Sequence, residues 1–360
     1  MKSIHIAIPA ALFLSLLIFS DAAAAGEWIS GSASSASGSR DYALWVPSGY
    51  QNRDKPKPGS PSGPPRWGGN SLPLVMMLHG CMHKPRDLAA ISGMNDEADK
   101  NTFLVVYPEQ TKEANPLRCW NWFDANHQTR DLGEPSLLAA IVLKVASTHN
   151  IDPRRVYVAG ISAGAAMAVV MGATYPDLFS GVGVMAGLAF KAGTTAETGL
   201  TAMKQGGPDP KQQGLLAFKV MGNNISGKSI RRVPVIVFHG DADPYLSPIN
   251  ADQVIAQWAK TNDYLDDGID NDSVKSEPAE TIAGSVPAGH SYTRYVYNDR
   301  SHRLLMEKWI VKGLSHAWSG ATAVTPFADP KGPHASEEMW RFFRKTSRAT
   351  AHRRRRISHR

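Results

Sequence analysis

The chain has 360 residues, 42% of them hydrophobic and 20% charged, which is enough apolar material for a large core and rules out collagen-like or globally disordered classes. The net charge of +7 is misleading, because nine Lys and Arg with no acidic residue fall between positions 341 and 360, leaving the rest close to neutral. That basic tail has no aromatic or motif context, which argues against a nucleic-acid partner.

The N-terminus reads as a targeting segment. Lys2 is followed by an apolar run over 6–19 and then by Ala22, Ala23, Ala24 and Ala25. This is the pattern of a secretory signal cut near Ala25, and its apolar stretch is short of the about 20 residues a membrane span needs. Residues 1–25 are therefore expected to be removed, with the mature chain extracellular or periplasmic and not inserted in a membrane. Export favours one disulfide between the two cysteines, Cys81 and Cys119; two free buried thiols are the alternative.

Beyond the signal, residues 30–39 are rich in Ser, Gly and Ala and are expected to be flexible. Residues 41–47 alternate as a strand does, and the Pro- and Gly-rich stretch 53–70 reads as a loop insertion. Continuous apolar runs follow at 74–78, 103–107, 156–159, 181–186 and 235–238. Runs apolar on both faces suit buried parallel strands. Between and after them, helical spacing occupies 87–100, 136–148, 163–175 and 250–261. The alternation predicts an α/β fold, a mostly parallel sheet with helices on both faces. Residues 191–228 carry mixed signals suited to a small cap, and 263–289 form a polar, acidic loop. That loop resembles a calcium loop but lacks the glutamate at its twelfth position and the right glycine spacing, so no metal or cofactor is expected. Strands at 291–297 and 304–311 and a helix at 334–343 complete one catalytic domain, 26–345, followed by the basic tail, 346–360.

Chemistry in such a sheet belongs at the carboxyl ends of strands. Gly160-Ile161-Ser162-Ala163-Gly164 matches G-x-S-x-G between a predicted strand and a predicted helix, the setting of a nucleophile elbow in an α/β-hydrolase fold. Ser162 is the expected nucleophile. A serine hydroxyl needs a base, and in this fold the order is Ser, then acid, then His. Asp243 follows the strand at 235–238 and is the first choice for the acid, with Asp241 second. His316, in the loop after the last strand, is the first choice for the base; His290 and His302 read as surface residues. The amides of Ala163 and Cys81 are the expected oxyanion donors, the second on a loop that a Cys81–Cys119 bond would hold. The aromatic cluster 119–123 reads as core packing or as substrate wall, and its place after a strand end makes Trp120 and Trp122 candidates for substrate contact, with Trp318 a third.

Leu78-His79-Gly80-Cys81, Tyr107-Pro108-Glu109-Gln110, Cys119-Trp120-Asn121-Trp122-Phe123, the Ser162 elbow, His239-Gly240-Asp241-Ala242-Asp243 and Gly313-Leu314-Ser315-His316-Ala317-Trp318 together resemble the polyhydroxybutyrate depolymerase-like esterases, from about residue 41 to 343. The resemblance implies a serine esterase with Ser162, Asp243 and His316 as its triad, acting on an ester or polyester. It borders on feruloyl and acetylxylan esterases and on hydrolases of oxidised polyvinyl alcohol. Extracellular polymer depolymerases of this kind often carry a C-terminal substrate-binding domain. With only the basic tail after the last helix, short oligomers, amorphous polyester or small esters are the expected substrates. A non-catalytic polymer-binding protein is the reading from a different class.

Overall fold

A computed structural model describes residues 26–50, 71–224 and 230–347. The signal segment, the 53–70 insertion, part of the expected cap and the basic tail beyond 347 lie outside the described residues. The strands are β1 (Glu27–Ser35), β2 (Gly38–Val46), β3 (Leu72–Leu78), β4 (Leu104–Pro108), β5 (Ile151–Ile161), β6 (Val182–Met185), β7 (Val235–Gly240), β8 (Glu280–Ser285), β9 (Ser291–Asn298), β10 (Leu304–Val311), β11 (Trp318–Ser319) and β12 (Ala328–Asp329). The helices are α1 (Pro85–Ser92), α2 (Met94–Asn101), α3 (Gly133–Thr148), α4 (Ala163–Thr174), α5 (Ala196–Gln205), α6 (Pro210–Asn224), α7 (Ile249–Asp267) and α8 (Ala335–Thr346).

One sheet of ten strands runs in the order β1-β2-β4-β3-β5-β6-β7-β10-β9-β8. Its middle, from β4 to β10, is parallel, and both edges are antiparallel. The parallel strands are the apolar runs of the sequence: β4, β6 and β7 are buried at every residue. A side chain buried on either face of a strand needs a helix on each side, and two clusters supply it. On one face Leu138, Ile141, Met167 and Trp258 pack under α3, α4 and α7. On the other, Leu88, Met94, Phe342 and Phe343 pack under α1, α2 and α8.

Several elements depart from the expectation. Residues 30–39 are ordered: β1 pairs with β2 in unbroken antiparallel register from Glu27↔Val46 to Ser35↔Gly38. Serine-rich composition hid the strand because an edge strand buries little side chain; only its pairing is visible. The helix expected over 87–100 is two helices, broken where Gly93 takes φ 64° and its N–H donates to Ala89 O. The acidic stretch is not one loop, since α7 continues to Asp267 and β8 occupies part of the remainder. Its Asp263 is buried and accepts from the backbone N–H groups of Asn271, Asp272 and Ser273, so its carboxylate closes the turn after α7. The segment expected as a cap divides: α6 packs against α4 and α7 in the helix layer, while α5 is tied to residues 244–247 by Ser247 N–H to Met203 O and Lys204 Nζ to Pro244 O.

The β5–α4 junction leaves no room beside β3. A Cβ on Gly160 would sit 2.6 Å from Leu78 O, and one on Gly164 would sit 2.1 Å from the same atom. Both neighbours are backbone, which cannot yield as a side-chain end does. The substitution Gly164→Ala gains helix propensity of up to about 1 kcal/mol, against an overpacking cost of about 1–3 kcal/mol or more. Urea unfolding of G164A is expected to show a net loss of stability; an unchanged midpoint would mean that α4 is free to move off β3.

Candidate active site

Ser162 sits where β5 ends and α4 begins, at φ 58° and ψ −123°. A side-chain-bearing residue in that region costs about 1–3 kcal/mol and persists only where its surroundings hold it. Here the Ser162 N–H donates to Met185 O at the end of β6, its carbonyl accepts from Ala166 N, and Gly160 and Gly164 let β3, β5 and α4 close around it. The turn is the strained strand-to-helix elbow that lifts a serine hydroxyl off the sheet edge. Ala163 is the first residue of α4, so its N–H has no acceptor within the helix.

The residues expected as acid and base lie two and three strands away. Asp243 follows β7 and His316 follows β10, which neighbours β7 in the sheet. His316 Nδ1 lies 2.7 Å from Asp243 Oδ2, with the carboxylate fully buried and the imidazole 6% exposed. Asp243 Oδ1 accepts from Tyr245 N–H at 2.8 Å and Leu246 N–H at 2.9 Å. His239 Nε2 donates to Leu246 O at 3.1 Å and lies 3.4 Å from Asp243 Oδ2. Burial alone would raise the Asp243 pKa. The hydrogen bonds from His239 and His316, the charge of His316 and the Leu246 amide outweigh it and hold the carboxyl well below the usual range. The acid is thus ionised, and Nδ1–H of His316 is committed to it, which leaves Nε2 as the acceptor nitrogen. Asp241, the second choice, is exposed and accepts from Gly313 N–H at 2.6 Å, so it holds the histidine's loop and not its ring. That loop is keyed to the acid loop: a Cβ on Gly240 would lie 2.0 Å from Leu314 O.

The loop after β3 comes up to the serine. A Cβ on Gly80 would stand 3.5 Å from the Ser162 Cβ. Cys81 is bonded to Cys119, and Met82 N–H donates to Leu117 O at 2.6 Å. Beneath it His79 is fully buried, with Nδ1–H donating to Gly80 O at 2.8 Å and Nε2 accepting from Gln110 N–H at 3.1 Å. Both nitrogens are used by the neutral ring, and burial pushes its pKa down to about 4. By holding the Gly80 carbonyl, His79 fixes the plane of the peptide whose N–H belongs to Cys81. The far side of the disulfide is pinned by Glu134 of α3, 1% exposed, which accepts from Asn121 N–H at 2.8 Å, Asn121 Nδ2 at 2.7 Å and Gln110 Nε2. Glu134 was silent in the sequence, because a glutamate in the first turn of a helix reads as an ordinary helix-start residue.

The tryptophans expected at the substrate are core residues: Trp120 and Trp318 have no exposed surface and Trp122 is 5% exposed. Trp120 packs on His79 at 5.6 Å and so backs the loop below the serine. Rings with solvent-facing surface beside His316 are instead Tyr245, 50% exposed, and the half-buried Phe327. His290 pairs with Asp329 and His302 is exposed, both away from Asp243. Among the described residues no helix is long and apolar enough to cross a membrane.

Two stability measurements test this scaffold. The His79 pKa falls from its ordinary value near 6.5 to about 4 on folding, so between those values the unfolded chain binds more protons. Stability present above pH 6.5 is therefore lost as the pH falls toward 4. Going from pH 7 to pH 5, urea unfolding is expected to show a loss about 2 kcal/mol larger in the wild type than in H79N; equal losses would mean the ring protonates freely in the fold. Separately, C81A/C119A opens a loop closed over a sequence separation of 38. It is expected to lower unfolding stability by about 4 kcal/mol on the chain-entropy estimate, and no loss would show that the other ties already confine the loop.

The family model described as esterase PHB depolymerase matches residues 62–277, which include Ser162 and Asp243. Poly(3-hydroxyalkanoate) depolymerase C of Paucimonas lemoignei is 33% identical over 257 residues, 71% of this chain and 56% of that protein. Feruloyl esterase B of Neurospora crassa is 28% identical over 235 residues, covering 63% and 73%. The acetylxylan esterase of Coprinopsis cinerea is 27% identical over 254 residues, covering 68% and 61%. The chain thus spans little more than half the length of the depolymerase it matches. Among solved structures, an acetyl xylan esterase from Aspergillus awamori superposes with a TM-score of 0.61 over 85% of this chain and 94% of that one, at 20% identity, which shows a common fold. With that fold shared and the family model spanning more than half of the chain, this protein is a member of the esterase PHB depolymerase family, built on the α/β-hydrolase fold.

Proposed function

We propose that this protein is an exported serine esterase that cleaves carboxylic esters through an acyl-enzyme on Ser162. The observation that carries the reading is the buried Asp243–His316 hydrogen bond at the same carboxyl edge of the parallel sheet as the strained serine elbow. In the proposed cycle His316 Nε2 takes the Ser162 proton as Oγ attacks the ester carbonyl carbon. The oxyanion that forms is held by the amides of Ala163 and Cys81, the first reinforced by the positive end of α4. His316 then gives the proton to the alcohol oxygen as the C–O bond breaks. The same nitrogen then takes a proton from water as its oxygen attacks the acyl carbon, and gives that proton to Ser162 Oγ as the acid leaves. Asp243, ionised throughout, stabilises the imidazolium that each transfer creates. Export is supported by the N-terminal pattern and by the disulfide.

The proposed substrates are short polyesters of hydroxyalkanoate type, in line with the depolymerase relative. Action on acetylated or feruloylated polysaccharide is the second reading, favoured by the acetylxylan and feruloyl esterase relatives. Release of product from a hydroxybutyrate oligomer, acetylated xylan and feruloylated arabinoxylan separates the two.

The variant S162A is expected to lower hydrolysis of p-nitrophenyl acetate by at least about a thousandfold and to abolish labelling by a fluorophosphonate probe. Retained turnover together with retained labelling would remove Ser162 from the mechanism.

A further inference from the structure

The surface beside His316 is made of rings that no motif singles out. Tyr245 stands edge-on to His316, with centroids 5.4 Å apart and planes at 70°. Phe327 stands edge-on to it from another direction, at 6.1 Å and 89°, and lies 6.4 Å from Tyr245. His83 packs against the edge of Phe327 at 5.3 Å. The four rings come from four loops: the turn after β3, the acid loop, the histidine loop and the segment before β12. Phe327 is held at φ 68°, a region unfavourable for a residue with a side chain, and its carbonyl accepts from Trp318 N–H at 2.8 Å. His83 follows Met82, whose backbone is tied to Leu117, and its Nδ1 is buried with no hydrogen-bond partner. Burial lowers the His83 pKa; nearby Asp87 opposes the shift and His316 adds to it, so the ring is neutral at pH 7.

The direction of the reaction says which part of an ester meets these rings. The acyl portion stays on Ser162, while the alcohol portion leaves on the oxygen that His316 protonates. Groups packed around His316 therefore face the alcohol. We propose that Phe327, Tyr245 and His83 form the alcohol-side subsite. It takes an ester whose alcohol portion is apolar, and His83 belongs to it as the ring packed on Phe327. The proposal rests on reading the protein as a serine esterase. Phe327 and Tyr245 supply the apolar contact, and His83 supports Phe327 from the turn after β3.

The test is a matrix of esters against F327A, F327L, Y245A and H83A, with each variant's melting curve recorded. Methyl acetate and benzyl acetate vary the alcohol. Ethyl acetate, butyrate and hexanoate vary the acid. F327A and Y245A are expected to lower kcat/KM for benzyl acetate relative to methyl acetate by about tenfold, with F327L between them and wild type. Ratios across the three ethyl esters should hold within about twofold. H83A, which removes the ring packed on Phe327, is expected to lower the same benzyl-to-methyl ratio by less than F327A does. Acyl ratios moving as much as alcohol ratios, or folded variants with no ratio moved, overturn the subsite. If F327A does not fold, F327L and the half-exposed Y245A decide by the same ratios. Wild-type protein that hydrolyses none of these esters and takes no fluorophosphonate label would instead overturn the esterase reading, so the two failures are told apart.

Discussion

The arrangement at the strand ends depends on one carboxylate kept out of water. A buried, ionised aspartate is tolerable only if its oxygens are bonded, and Asp243 meets that demand by organising what lies around it. One oxygen draws two successive backbone amides into a turn. The other takes His316 and faces His239. The turn sets the course of the chain into α7, and the imidazole bond sets where the loop after β10 must pass. That loop reaches Asp243 because β10 lies next to β7 in the sheet, although 73 residues separate the two side chains in sequence.

The fold was legible because its central strands are buried on both faces, and such strands must be written as unbroken apolar runs. The elbow was legible for a related reason. Gly160 and Gly164 are demanded by backbone contacts, so the constraint shows as residue type at fixed spacing. Asp243 and His316 could be selected by chain order and strand-end location, since their partners are reached through sheet adjacency. What stayed hidden is what depends on pairing or burial alone. β1 carries too few apolar side chains to announce itself, and its partner strand defines it. Glu134 looks like any glutamate at a helix start until Asn121 and Gln110 are seen converging on it. The tryptophans misled because an aromatic cluster near a site reads alike whether it backs a loop or faces a ligand, and only exposure tells the difference.

The ties around the Ser162 approach are layered. The disulfide joins Cys81 to a segment that Glu134 anchors, His79 grips the neighbouring carbonyl from below, and Trp120 fills the space beneath His79. None of these groups needs to touch a reacting atom. Each removes a freedom that a loop at a sheet edge would otherwise have, and together they hold one peptide plane beside a serine whose own backbone is strained. Of the rings around His316, Tyr245 and Phe327 come from other loops, while His83 comes from the Cys81 loop itself, so that loop borders both sides of the site.

The contact of Gly240 with Leu314 leaves no space for a single added carbon. Residues 240–246 and 311–318 therefore behave as one block of inheritance. A chimera that borrows one of these loops from a relative without the other would pair surfaces shaped for different partners. A crossover placed between β7 and β11 separates a lock from its key.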